Sequence, residues 1–239
     1  MKGIIAVLIS LIISLGSYAQ VIKIGKREFG YFYLGPKIGL ALSKISNTTT
    51  SFGGTSKFRT GFEFGVSGKL GINEKWALLP ELMFIQKGVK VESGSFESKF
   101  KTSYIGIPIL AQYSLMAVGV TRIHVEGGGF VNVRTGGTAV FTDAASGQSY
   151  ESSLTNSGWR TMDYGFAIGA GAEWPRKLGT WVFDLRYDYS FMDVHKEDSE
   201  FNSNRTLGFS LIYLYDFVEL YKRLSNKQKS KSAEVAPEG

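Results

Sequence analysis

The chain holds two histidines and no cysteine, so few of its residues have the types that acid–base, nucleophilic or metal chemistry needs. His124 stands between Arg122 and Glu126 at a spacing of two. That spacing puts all three on one face of an extended strand, where a histidine can serve as a proton acceptor or as a buried structural partner of the two charges. His195 has Asp193 and Asp198 close by and Ser199 beyond. A histidine near a carboxylate and a hydroxyl is the raw material of a hydrolytic site, but neighbours in a polar loop do not make a triad. The run Glu126-Gly127-Gly128-Gly129 has the glycines of a phosphate loop, but no Lys-Ser/Thr pair or helix signal follows it. The expectation is no catalytic residue, no bound cofactor and no metal site, since two histidines without cysteine are a poor ligand set.

More informative is a larger set of charges sharing a parity: Lys37, Arg59, Glu63, Lys69, Glu81, Arg122, His124, Glu126, Arg134, Asp163, Glu173, Asp184, Arg186 and Asp188. Each sits in a segment where apolar residues take the alternate positions. From Phe32 onward alternation with period two dominates, which is the signature of strands with two unlike faces. Phe32, Leu34, Pro36, Ile38, Leu40 and Leu42 oppose Tyr33, Gly35, Lys37, Gly39 and Ala41. Phe183, Leu185, Tyr187, Tyr189 and Phe191 oppose Asp184, Arg186, Asp188 and Ser190. Eight such segments follow one another, ending with Leu207 to Phe217.

A soluble sandwich also alternates, with its apolar face inward. Three features favour the opposite sense. The strands read as about ten to fifteen residues, the reach of a tilted membrane-spanning strand. The polar face carries glycines and charges of both signs, which suits a narrow lumen. Connections alternate in length, short at Gly71 to Lys75 and Pro175 to Gly179, moderate at Ser114 to Val120, and long and polar after the first, third, fifth and seventh strands, as at Ser43 to Lys57 and Gly136 to Gly158. Trp76, Trp174, Trp181, Tyr213, Tyr215 and Phe217 predict one aromatic girdle, and Phe84, Tyr164, Tyr189 and Phe191 a second. Hydrocarbon cannot satisfy open sheet edges, so the sheet must close. The expected fold is all-β, an eight-stranded antiparallel up-and-down transmembrane β-barrel in the outer membrane. At this size side chains nearly fill the interior, so the shared-parity charges are expected to form a plug rather than line a conduit.

One stretch competes for a transmembrane helix, because Thr102 to Thr121 carries no Lys, Arg, Asp or Glu. Pro108, Gln112, Ser114 and the period-two set Ile105, Ile107 and Ile109 predict a strand instead. At the N-terminus Lys2, the apolar run Gly3 to Leu15 and Ser17-Tyr18-Ala19 read as a signal peptide spanning 1–19, cleaved before Gln20. Residues 20–29 then form a periplasmic lead, 30–217 the barrel and 218–239 a periplasmic tail. Much of the formal charge of +6 comes from the lead and the tail, so no basic stripe exists to track nucleic acid. Within the tail Leu220, Tyr221 and Leu224 are candidate docking residues for an envelope partner, and lipid is the other expected partner.

LGPKIGLALSKI (Leu34 to Ile45), LLPELMFIQKG (Leu78 to Gly88) and YIGIPILAQY (Tyr104 to Tyr113) resemble successive blocks of PorT-like outer-membrane barrels of the Bacteroidota. GFAIGAGAEW (Gly165 to Trp174) and FDLRYDYSF (Phe183 to Phe191) fit the same pattern, so the likeness runs from about Gly30 to Phe217. This chain departs from it at Gly106, where the family usually has Glu. The resemblance implies an outer-membrane location, no catalysis, and a role as accessory or scaffold subunit of an envelope assembly, type IX secretion being one version. A free-standing structural or adhesive barrel of the small OmpA type is the alternative, and a rim enzyme using His195 the third reading.

Overall fold

The computed structural model describes residues 22–24, 27–29, 31–46, 55–94, 96–143, 145–154, 159–194 and 202–216. The strands are β1 (Ile22–Ile24), β2 (Arg27–Phe29), β3 (Tyr31–Ile45), β4 (Thr55–Gly71), β5 (Trp76–Ser93), β6 (Phe96–Val118), β7 (Thr121–Asp143), β8 (Ser149–Ser153), β9 (Met162–Arg176), β10 (Gly179–Asp193) and β11 (Ser203–Asp216). β1 and β2 pair with each other. The large sheet runs β3-β4-β5-β6-β7-β9-β10-β11 and closes where β11 pairs with β3, every pairing antiparallel. Eight strands therefore form the ring, and β8 lies outside it as an added partner of β7. No helix among the described residues is long and apolar enough to cross a membrane; Thr102 to Thr121 is mostly β6.

Closure makes the alternation into an inside and an outside. Ile38, Leu40, Phe64, Leu82, Ile107 and Phe183 are exposed on the outer wall, while Lys37, Glu81, His124, Asp184 and Arg186 are buried within. A soluble protein places these two sets the other way round. Along β6 the outward apolar residues run from Ile105 to Tyr113, close to the 9–11 residues that a tilted strand needs to cross the hydrocarbon.

Three tight connections gather at one end, together with Tyr31 and Asp216, the first and last barrel residues described. Between β4 and β5, the Asn73 side chain accepts hydrogen bonds from the amides of Lys75 (2.9 Å) and Trp76 (2.8 Å). β6 turns into β7 through Gly119, whose φ of 62° is in the left-handed region glycine favours. Lys177 and Leu178 turn β9 into β10. The rings of Trp76 and Tyr113 (4.8 Å) and of Trp181 and Tyr213 (4.6 Å) pack in pairs at this turn end. Nearer the opposite, loop end lie Phe64 against Phe84 (5.0 Å) and Tyr189 against Phe191 (5.7 Å), with the Arg205 guanidinium over the Tyr189 ring. Two aromatic belts bracket the apolar wall.

The expected connection lengths, two long and one moderate, fail in three places. The connection after the third barrel strand is a tight turn at Gly94, because β5 and β6 continue far beyond the wall as a hairpin. Gly136 to Gly158 is partly strand, since β7 reaches Asp143 and folds back as β8. Ser114 to Val120 shrinks to a two-residue turn, with β6 running to Val118. Barrel strands accordingly reach 23 residues rather than fifteen. The cause is a change of polarity: beyond Lys87 the inward positions become Val89 and Val91 and the outward ones Lys90 and Glu92. The strand continues, but with the charge pattern of a loop. Val89, Val91, Phe100, Ala139, Leu154 and Trp159 form an apolar cluster on the concave side of this projecting sheet.

Candidate functional site

Among the described residues, the lumen is where the fold gathers charge away from water. At its centre the Glu81 carboxylate accepts hydrogen bonds from Lys37 Nζ (3.0 Å) and, in a fork, from both terminal nitrogens of Arg186 (2.7 and 3.0 Å). Arg186 Nε donates to Glu126 at 2.8 Å, and Ser67 Oγ donates to Glu81 at 3.3 Å. These residues come from β3, β5, β7, β10 and β4, and only closure of the ring makes them neighbours. Two cations and two carboxylates neutralise one another in a fully buried cluster.

Toward the turn end Lys69 pairs with Glu173, which also accepts from Gln112 Nε2 at 2.6 Å. His124 Nδ1 lies 3.7 Å from Glu173, and its Nε2 is 3.0 Å from Asp184 Oδ1. Toward the loop end Lys87 pairs with Asp163 (3.0 Å), which further accepts from Asn132 and Asn204 and from Ser190 Oγ. The Lys87 ammonium also stands 4.9 Å from the centre of the Phe130 ring. Apolar clusters interleave with these charges, Leu79, Leu110, Phe130 and Ala167 in one and Ala41, Met83 and Ile85 in another. A cavity of about 10 Å³ lies at mid-barrel, with Lys37, Glu63, Arg186 and Asp188 in its lining. A wider recess of about 590 Å³ opens at the turn end, with Tyr31, Tyr33, Lys69, Arg122 and Glu173 in its lining.

The glycines of β9 make this arrangement possible. Gly171 pairs with His124 of β7 on one side and Asp184 of β10 on the other, and Gly169 likewise separates Glu126 from Arg186. A Cβ at Gly171 would overlap Asp184 Oδ1 and come within 2.6 Å of His124 Cε1; at Gly169 it would come within 2.9 Å of Glu126 Oε1. Gly106 has a related role. The space a side chain would take there is filled by Asn132 Oδ1, which gives a reason for the departure from Glu at this position.

The sequence-predicted residues divide. Lys37, Glu81, Glu126 and Arg186 meet at the centre, and Lys69, His124, Glu173 and Asp184 meet near the turn end. Asp163 finds its partner in Lys87. Glu63 accepts a hydrogen bond from Ser210 Oγ at 2.6 Å and shares the small central cavity with Asp188. Three arginines do not join an ion pair among the described residues. Arg59 is half-buried and donates to the Lys87 carbonyl at 3.3 Å. Arg134 donates to the carbonyls of Leu154, Trp159 and Arg160, tying the segment that follows β8 to the wall. Arg122 is exposed at the turn-end mouth, outside the low-dielectric core where pairing is compulsory. Leu220, Tyr221, Leu224 and His195 lie outside the described residues, as do the segments expected to be signal peptide and tail.

Lys87 was missed, although it has the parity of Glu81 and is fully buried. Gln112, Asn132 and Ser190 have inward parity in the sequence but, like Asn204, stand outside the expected network. Neutral polar residues in a lumen carry no sequence signal beyond their inward parity. Chemically, His124 has an orienting carboxylate, but its other nitrogen faces Glu173 rather than a hydroxyl, so the arrangement holds charge and activates no nucleophile.

A closed eight-stranded ring, apolar outside and plugged by ion pairs inside, defines a small transmembrane β-barrel. The chain belongs to the family described as outer membrane protein beta-barrel domain, which matches residues 18–196. It is an outer-membrane protein. No curated protein matches it. Similar solved structures include Ail, the attachment invasion locus protein of Yersinia pestis (18% identity, 77% of this chain and 99% of that one, TM-score 0.40). Others are OprG from Pseudomonas aeruginosa (15%, 81% and 97%, TM-score 0.44) and the neisserial surface protein NspA (16%, 76% and 96%, TM-score 0.41).

Proposed function

We propose that this is a non-enzymatic, non-conducting barrel that anchors a binding surface in the outer membrane and acts as an accessory or scaffold subunit of an envelope assembly. The observation that carries the reading is the contrast between the filled lumen and the projecting sheet of β5, β6, β7 and β8. A plugged barrel of this width moves no solute of useful size, so the barrel's worth lies in what it holds up. The sheet it holds up keeps Phe96, Phe141 and Tyr150 exposed, aromatic residues of the kind that anchor protein interfaces. The loop end would face the cell exterior, as in barrels with short periplasmic turns. The resemblance to PorT-like barrels supports type IX secretion as the particular assembly.

The test is purification of tagged protein from its own outer membrane in mild detergent, with and without residues 89–100 replaced by a tight turn. Partners held in stoichiometric amount by the full chain and lost from the shortened one support the scaffold reading. A lone monomer from both moves the weight to a free-standing surface barrel. Discrete open-channel currents from the wild-type protein in planar bilayers would overturn the non-conducting part.

A further inference from the structure

The charges near the turn end do not close on protein groups alone. Around His124 stand three fixed cations, Lys37, Lys69 and Arg186, and four carboxylates, Glu81, Glu126, Glu173 and Asp184. Arg186 and Lys37 are taken by Glu81 and Glu126, and Lys69 by Glu173. Among the described residues no Lys or Arg pairs with Asp184, whose ionic neighbour is His124. An uncompensated carboxylate at this depth is costly, so a further positive charge belongs here.

A proton on His124 would answer Asp184. It would leave untouched a second observation: Glu126 Oε2, on a residue more than nine-tenths buried, has no hydrogen-bond partner. His124, Glu126 and Asp184 each offer a donor atom, and those atoms lie within 4.8 Å of one another. Two metal bonds of about 2.0–2.1 Å at a tetrahedral angle set their donors roughly 3.3 Å apart. His124 Nε2 and Asp184 Oδ1, at 3.0 Å, need to part by only a few tenths of an ångström. Gly171 between them is what lets the two side chains meet, since a Cβ there would fall 2.2 Å from Asp184 Oδ1.

We propose that His124, Glu126 and Asp184 bind one divalent transition-metal ion, zinc by the mixed nitrogen and oxygen donor set, inside the lumen. One imidazole with two carboxylates is a ligand set zinc accepts, with water as the fourth ligand. Glu173 lines the 590 Å³ recess on one side and faces His124 on the other, which gives the ion a route from the turn end. The sequence hides the site, because its ligands are separated by up to sixty positions and share only a parity.

The experiment uses full-length, tag-free protein folded in detergent, stripped with a chelator and dialysed against zinc alone. About one equivalent retained by the wild type and by His195→Ala, and lost from His124→Gln and Asp184→Asn, is the expected result. No retained ion, or an ion that persists in His124→Gln, overturns the site. Should the lumen variants fail to fold, X-ray absorption on zinc-loaded His195→Ala decides the matter, because His124 is then the only imidazole in the chain. A shell of one imidazole nitrogen and carboxylate oxygens near 2.0–2.1 Å supports the proposal. A shell of oxygens alone overturns it.

Discussion

His124 Nε2 and Asp184 Oδ1 stand 3.0 Å apart although β7 and β10 do not pair with each other, because the strand between them carries Gly171 at the same level. The pair is thus specified by three residues rather than two. Gly171→Val should disrupt it as thoroughly as loss of either partner, since the new side chain takes the volume where they meet. Overpacking of this kind typically costs about 1–3 kcal/mol. Urea unfolding in lipid vesicles should show that loss, whereas Gly129→Ala, which meets no lumen charge, should stay close to wild type.

The central cluster makes a sharper prediction. Arg186 forks onto Glu81 and bridges to Glu126, so Arg186→Met strands the buried Glu126 and leaves Glu81 with Lys37 alone. Breaking a buried pair from one side costs about 3–5 kcal/mol, while replacing all the charges by neutral groups of similar size is close to neutral. Arg186→Met and Lys37→Met combined with Glu81→Gln and Glu126→Gln should therefore recover most of the stability that Arg186→Met loses. A quadruple variant as unstable as the single one would mean that the charges contribute more than their mutual neutralisation.

How much of this could be read beforehand follows from what parity encodes. Alternation says which face a residue takes, so Lys37, Glu81 and Arg186 could be assigned to one compartment, and the ring to eight strands. Parity does not say which strands end up opposite one another across a lumen, and pairing there depends on tilt and on glycines that leave room. Lys87 has the inward parity of Glu81 and Met83 but does not figure among the expected lumen charges, since it falls where the pattern changes. The strand in fact continues with its polarity reversed, a pattern that resembles a loop when strands are expected to be apolar outside throughout. Arg134 has inward parity but meets carbonyls of a segment whose path no local pattern specifies.

That reversal locates the membrane edge, and single substitutions can test it. Ile107 lies on the outer wall in the middle of the apolar band of β6, and Lys99 lies on the same outward face beyond it. Ile107→Arg should destabilise the barrel by about 2–4 kcal/mol, the cost of a charge facing lipid near the midplane. Lys99→Ile should change stability by less than about 0.5 kcal/mol, as for other exposed sites. Similar losses at both positions would place the edge elsewhere.

The outward face of the projecting hairpin carries a ladder of exposed charges, with Glu92 between Lys57 and Lys90, and Glu97 between Lys90 and Lys99. Hydrogen bonds from Lys90 and Lys99 hold the Glu97 carboxyl below its ordinary value, and those from Lys57 and Lys90 do the same for Glu92. A carboxyl whose folded value is depressed adds stability that is fully present above the ordinary carboxylate range and is lost as pH falls through the lowered value. The hairpin tip should therefore keep constant amide protection from neutral pH down to that range and begin to open below it. Because the charges are exposed, the effect should shrink as salt is raised. The barrel strands below, held by pairs that solvent does not reach, should keep their protection over the same interval. Hydrogen exchange read residue by residue across β5 and β6 tests both halves, and a tip that opens at neutral pH, or a wall that opens with it, would show that the ladder does not act as a separate unit.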